Sequence, residues 1–83
     1  NKPLPSLPPN LIKLNLGWSY NHAIIELPSK LEILNLGHDY NHNLPNLPNT
    51  LRELYFERAF NQQLPKLPEN LEILDFKYNV RYN

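Results

Sequence analysis

A period of twenty residues runs through this chain without a gap. Four units align, covering residues 4–23, 24–43, 44–63 and 64–83. Apolar side chains occupy the first, fourth, eighth, eleventh, thirteenth and seventeenth positions of every unit, and the fifth position is always proline. A unit this short cannot bury a core by itself, so successive units must stack on one another. We therefore predict a single solenoid domain over residues 1–83, as a fragment of a longer array.

One segment of each unit has the pattern of a β-strand. In residues 31–36 (LEILNL), Leu34 and Leu36 are two apart and share one face of a strand, whereas Ile33, Asn35 and Gly37 lie on the other. Proline recurs too often for a helix, and each Leu-Pro-x-Leu-Pro segment must be extended. The predicted fold resembles a leucine-rich-repeat solenoid. It is mostly β, with a parallel sheet on one face, extended or polyproline-like returns and no long helices.

Charge and composition exclude several classes of function. The chain of 83 residues has eight basic and eight acidic side chains, scattered singly, and no cysteine. The absence of a charged block argues against a nucleic-acid or anionic-membrane partner. The absence of cysteine excludes disulfides, cysteine–zinc sites and thiol catalysis, and it favours a cytoplasmic location. The longest apolar runs are only a few residues, so none is long enough to span a bilayer.

The period predicts two columns, one polar and one aromatic. Residues twenty apart lie above one another in a solenoid, so Asn21, Asn41 and Asn61 are predicted to form a structural ladder. An asparagine amide both donates and accepts, and it can tie the backbone of one turn to the next. A second predicted column is an aromatic spine packed inside the coil, formed by Tyr20, Tyr40, Phe60 and Val80.

The same residues carry a family resemblance over the whole chain. The L-x-x-L-x-L spacing is similar to that of leucine-rich repeats, and Tyr20-Asn21, Tyr40-Asn41 and Phe60-Asn61-Gln62 resemble the FNIP repeat. That family is related to leucine-rich repeats, occurs in social amoebae and giant viruses, and often follows an F-box. Two features depart from it: the period is shorter than usual, and Val80-Arg81 replaces the aromatic–asparagine pair. The resemblance implies a recognition module within a larger protein.

The histidines could suggest a metal site. His22 and His42 occupy the same column, and His38 precedes His42 by four residues. Zinc needs three or four ligands, and the column continues with Gln62 and Tyr82, which are poor ligands. We therefore expect turn residues exposed to solvent, with no metal and no cofactor.

The sequence shows no catalytic constellation. No serine lies in the context of a nucleophile elbow, and Ser19, His22 and Asp39 would meet only through coincidental stacking. Glu53 and Glu57 share a strand face, but Arg52 and Arg58 adjoin them in sequence, so a solvated and mutually screened surface is expected. We predict that the protein is not an enzyme.

The outward face of the predicted sheet is where the units differ. Tryptophan, tyrosine and arginine occur there, and these residues are common anchors of protein interfaces. A solvated sheet face without a partner is the alternative. The candidate partner-binding residues are Lys13, Asn15, Trp18, Ile33, Asn35, His38, Glu53, Tyr55, Glu57, Arg58, Ile73, Asp75, Lys77 and Tyr78.

These observations favour protein–protein recognition. The family resemblance implies that the chain is the substrate- or partner-binding part of a larger protein, of the F-box kind. The alternative is a structural module that stacks end to end into a fibre or a long array. This alternative arises because the leucines of the outer units match those of the inner ones, so self-association through the ends is expected.

Overall fold

The computed structural model describes residues 6–76 and Asn79. Four strands form within this part of the chain: β1 (Lys13–Asn15), β2 (Ile33–Asn35), β3 (Glu53–Tyr55) and β4 (Ile73–Asp75). Each is three residues long, which is shorter than the six-residue segment with strand patterning. No helix in the described residues is long and apolar enough to cross a membrane. The prediction of a mostly β fold with a parallel sheet and no long helices is confirmed.

The strands form one parallel sheet in sequence order, β1-β2-β3-β4. The register pairs Leu14 with Leu34, Leu34 with Leu54, and Leu54 with Leu74. Every pairing therefore joins residues twenty apart, and the described residues form one solenoid turn for each strand. We call these turns coils 1 to 4, after the strand that each contains.

The same backbone hydrogen bonds recur at each junction between coils. The Ile12 carbonyl accepts from the N–H groups of both Glu32 and Ile33, at 2.8 and 3.1 Å. The Glu32 and Arg52 carbonyls accept in the same way from the coils that follow them. Because one pattern repeats, the solenoid advances by a constant step.

A tight turn leads from each return into its strand. The Leu31 N–H donates to the Pro28 carbonyl at 3.3 Å, and the corresponding bond forms in the other three coils at 3.1–3.2 Å. Proline supplies only its carbonyl to this bond, so its missing N–H is not needed. The proline common to all four units therefore marks where the extended return ends.

The core lies between the sheet and the returns. Leu31, Leu34 and Leu36 of coil 2 and Leu51 and Leu54 of coil 3 are fully buried. The matching leucines of coils 1 and 4 are half-buried, since each of those coils packs against one described neighbour only. Burial in this fold therefore depends on stacking, as expected for a solenoid.

An aromatic spine runs through the core beside the leucines. Tyr20 stacks on Tyr40, and Tyr40 on Phe60, with ring centroids 6.4 Å apart in both pairs. Tyr40 is fully buried, and this burial raises the pKa of its hydroxyl. The predicted spine is confirmed for these three rings; Val80 lies outside the described residues.

Candidate functional site

The candidate surface is the outward face of the sheet together with the turn that follows each strand; we call it the sheet face. Exposure varies across the predicted residues. Lys13, Asn15, Trp18, Arg58 and Ile73 are exposed; Ile33, Asn35, His38, Glu53, Tyr55, Glu57 and Asp75 are half-buried. Lys77 and Tyr78 lie outside the described residues.

The strand register arranges these side chains in columns that run across the strands. One column contains Lys13, Ile33, Glu53 and Ile73, and we call it the apolar–charged column. The second column contains Asn15, Asn35, Tyr55 and Asp75, and we call it the amide–acid column. The residue type changes at every step of the apolar–charged column and after Asn35 in the amide–acid column, whereas the core positions repeat.

The two asparagines of the amide–acid column have a fixed orientation. Asn15 Oδ1 accepts the Gly17 N–H at 2.9 Å, and Asn35 Oδ1 accepts the Gly37 N–H at the same distance. Only the amide oxygen can accept from an N–H, so these bonds also decide which way each amide is turned. Their NH2 groups have no hydrogen-bond partner among the described residues, and they are available as donors.

Gly17 and Gly37 form a strip without side chains beside these amides. Both have positive φ, at 78° and 79°, a conformation that glycine adopts easily. A Cβ on Gly37 would collide with the Gly17 carbonyl, because the two turns stack closely; a Cβ on Gly17 would meet no atom within 4 Å. The backbone beside Asn15 therefore faces open space.

Two stacked rings border the glycine strip. The rings of Trp18 and His38 lie 3.8 Å apart and within 13° of parallel, and Trp18 is 67% exposed. His38 Nδ1 also lies 2.7 Å from Asp39 Oδ1, and this contact holds the imidazole ring in its position against Trp18. The period predicts that positions 18 and 38 share a column, but it does not predict face-to-face stacking.

The acidic part of the sheet face centres on Tyr55. Its hydroxyl donates to Glu53 Oε1 at 2.5 Å, and Asp75 is its partner in the next strand. The pKa of Tyr55 is raised, mainly because its hydroxyl donates a hydrogen bond to Glu53, with further contributions from burial and from the negative charges of Glu53 and Asp75. Two carboxylates therefore lie beside this ring.

The charged residues at the start of the strands pair across coils. Arg52 Nε lies 3.1 Å from Glu72 Oε2, and Arg52 Nη1 lies 3.6 Å from Glu32 Oε1. The Arg52 guanidinium lowers the pKa of Glu72, and Glu72 raises that of Arg52. The expectation that Arg52 screens Glu53 is wrong. Arg52 shares a column with Glu32 and Glu72 and pairs with them, whereas Glu53 points to the sheet face and accepts a hydrogen bond from Tyr55.

The predicted ladder residues lie beyond the turn that follows each strand. Asn21 Oδ1 accepts the Asn41 N–H at 2.9 Å, and Asn41 Oδ1 accepts the Asn61 N–H at 2.7 Å. Gln62 Nε2 also donates to Asn41 Oδ1, at 3.1 Å. These asparagines therefore bond one coil to the next.

The two histidines of this turn make separate contacts. His42 Nε2 lies 3.0 Å from the Asn21 carbonyl oxygen, and the rings of His22 and His42 pack against Tyr20 and Tyr40. We expected both histidines to be exposed to solvent, but they are half-buried because these tyrosines cover them. Within residues 6–76 and Asn79, no group of three or more histidine, cysteine or carboxylate side chains could hold a metal ion.

Sequence reasoning gave no role to Asn79, which is fully buried. Its Nδ2 donates to the carbonyls of Glu57 and Phe60, at 2.8 and 2.6 Å, and so satisfies the turn of coil 3. The equivalent positions hold Ser19, Asp39 and Ala59. The available signal was this asparagine four residues beyond its strand, where the other units have different residues.

A groove lies on the return side, away from the sheet face. Leu7, Pro9, Ile25 and Pro28 are among its lining residues, and Ile25 is 86% exposed. Among the described residues that line it, Glu26 is the only carboxylate and none is a histidine.

Comparison with known proteins identifies the repeat. The model of the FNIP repeat matches residues 1–39, 20–59 and 40–79, in overlapping segments. Searches of curated proteins and of solved structures each gave no match. The three segments together cover nearly the whole chain in steps of about one coil, in agreement with the strand register. The chain therefore belongs to the FNIP repeat family.

Proposed function

We propose that this FNIP repeat module recognises a protein partner through its sheet face. It would serve as the substrate-recognition part of a larger protein, of the F-box kind in which such repeats often occur. The observation that carries the proposal is the contrast between repeated core columns and varied columns on the sheet face. The proposal assigns the module no catalytic role, cofactor or metal.

The exposed anchors support this surface. Trp18 is 67% exposed and Ile73 is 41% exposed, although both are large apolar side chains. Such side chains contribute most to binding when they become buried at the centre of an interface. Trp18 is also held in place by His38, so little side-chain entropy would be lost when a partner covers it.

The test compares two double variants with the same chemistry on opposite sides of the solenoid. Trp18→Ser with Ile73→Ser removes anchors from the sheet face, and Ile25→Ser with Leu67→Ser removes exposed apolar residues from the returns. Each protein, fused to its natural flanking sequence, is used to capture proteins from cells of its source. We expect a protein that binds the parent and the return variant but not the sheet variant. Equal capture by all three, or loss only with the return variant, would contradict the proposal.

End-to-end assembly is the second candidate function. Within the described residues, β1 and β4 each pair on one side only, which leaves a strand edge at either end of the sheet. Sedimentation over a hundredfold concentration range separates the two functions. Growth into filaments favours assembly, whereas a stable monomer that keeps its partner favours recognition.

A further inference from the structure

The amide–acid column offers a partner a row of groups in a defined order. Two oriented side-chain amides, from Asn15 and Asn35, are followed by the ring of Tyr55 and the carboxylate of Asp75. The amides can donate to carbonyl oxygens, because their own oxygens are already used by the glycine N–H groups. The column therefore begins with donors and ends with negative charge.

The length of the column fits a short extended peptide. Neighbouring strands lie about 4.8 Å apart, so the column from Asn15 to Asp75 spans about 14 Å. An extended chain rises about 3.3 Å per residue, and about five residues cover that distance. Carbonyls on one side of an extended chain recur every second residue, about 6.6 Å apart, so two of them come within reach of the two side-chain amides whatever the peptide's side chains are.

The two sides of the column leave room for the peptide and its side chains. On one side, the glycine strip has no side chains, and the Trp18–His38 stack borders it. On the other side, Ile33 and Ile73 flank Glu53 in the apolar–charged column. The apolar part of a lysine or arginine side chain can therefore pack against these isoleucines while its charged group reaches the carboxylate.

Charge gives the peptide a preferred end. Lys13 lies beside Asn15 in coil 1, whereas Glu53 and Asp75 flank Tyr55 in coils 3 and 4. Arg58, the described cation of coil 3 on this face, follows Glu57 at the turn. A cation over the Tyr55 ring lies beside the carboxylates of Glu53 and Asp75, and it gains both ion pairing and cation–π attraction.

We propose that the amide–acid column binds an extended polypeptide segment that crosses the strands, with its carbonyls on the amides of Asn15 and Asn35 and a basic side chain over Tyr55 between Glu53 and Asp75. The inference rests on the proposed function, since it names the partner chemistry of the same face. The occupant is thus a short, extended segment with lysine or arginine near one end.

Nuclear magnetic resonance tests the proposal at the groups that it names. Trp18 provides the only indole N–H of the chain, and the side-chain NH2 signals of Asn15 and Asn35 report on the amides directly. The probes are blocked hexapeptides of alternating threonine and valine with one lysine, placed at either end, and the same two peptides with glutamate. We expect saturable shifts of the two NH2 groups with at least one lysine peptide, and binding at least fivefold weaker with its glutamate counterpart.

Matched variants separate the two halves of the column. Asn35→Asp keeps the oxygen that accepts from Gly37 but removes the NH2 donors, and Asp75→Asn removes the charge with little change of shape. Each should weaken binding about five- to tenfold, the effect of losing one hydrogen bond or ion pair. The control is Asn46→Asp, which makes the same asparagine-to-aspartate replacement at an exposed position on the return side and should leave binding unaltered.

The outcomes distinguish this proposal from the broader one. Shifts confined to the apolar–charged column, with the NH2 signals unchanged, would refute peptide binding along the amide–acid column. They would leave the sheet face as the binding surface. Shifts confined to the returns, or none at millimolar peptide, would overturn both. Equal binding of lysine and glutamate peptides would refute the basic end.

Discussion

Replacing Gly37 by alanine should destabilise the solenoid more than the same replacement at Gly17. The two glycines have almost the same φ, 79° and 78°, so the strain of a left-handed alanine is common to both. That strain is worth about 1–2 kcal/mol. The two sites differ in their surroundings, because a Cβ on Gly37 would collide with the Gly17 carbonyl and one on Gly17 would meet open space.

The collision at Gly37 involves backbone and not a flexible side chain. The Gly17 carbonyl also accepts the His38 N–H at 3.3 Å, so relief of the clash must displace that hydrogen bond or the turn of coil 1. Overpacking of this kind costs about 1–3 kcal/mol. We therefore expect a loss of about 1–2 kcal/mol for Gly17→Ala and about 2–5 kcal/mol for Gly37→Ala.

Urea unfolding followed by far-ultraviolet circular dichroism measures both variants. This signal avoids Trp18, whose fluorescence could change simply because it follows Gly17 in the chain. Equal losses for the two variants would show that φ strain alone determines the effect and that the turns of coils 1 and 2 separate without cost. A larger loss at Gly17 would refute the stacking of these turns.

Three further predictions follow from the coil junctions. Leu34→Ala should lower the free energy of unfolding by about 2–5 kcal/mol, and Leu14→Ala by less, since Leu34 is fully buried and Leu14 only half-buried; equal losses in urea would contradict the role of coil stacking. Asn79→Ala should lower it by about 1–3 kcal/mol because the hydrogen bonds to the Glu57 and Phe60 carbonyls are lost, and an unchanged thermal melt would remove Asn79 from the structural residues. The depressed pKa of Glu72 means that its pairing with Arg52 stabilises the fold above the ordinary pKa of glutamate, and this contribution is lost as the pH falls through the depressed value. Arg52→Gln should move the Glu72 titration midpoint, followed by nuclear magnetic resonance, upward; an unmoved midpoint would show that the pair does not form in solution.

The backbone of this fold could be predicted because the period fixes it. A spacing of twenty residues without a gap determines which residues pair across strands, and the observed register from Leu14 to Leu74 follows it throughout. Strand length was less predictable. The apolar pattern covers six residues, but only three per coil have strand geometry before the turn begins.

Side-chain contacts within a column could not be predicted in the same way. The period places Trp18 above His38, but whether the rings stack depends on rotamers that the spacing does not determine. Likewise, Arg52 had carboxylates beside it in sequence and across the junction, and the structure selects Glu72 and Glu32. Neighbours along a strand point to opposite faces, so residues in the same column are the better guide to contacts.

The repeated strand hydrogen bonds have a genetic consequence. Because these bonds recur between successive coils, duplication or loss of sixty nucleotides within the repeat would leave the strand register intact. Unequal crossing-over between copies would then bring new neighbours together on the sheet face while the leucine columns stayed in place. Such a gene can change what its product binds by recombination alone, before any codon has mutated.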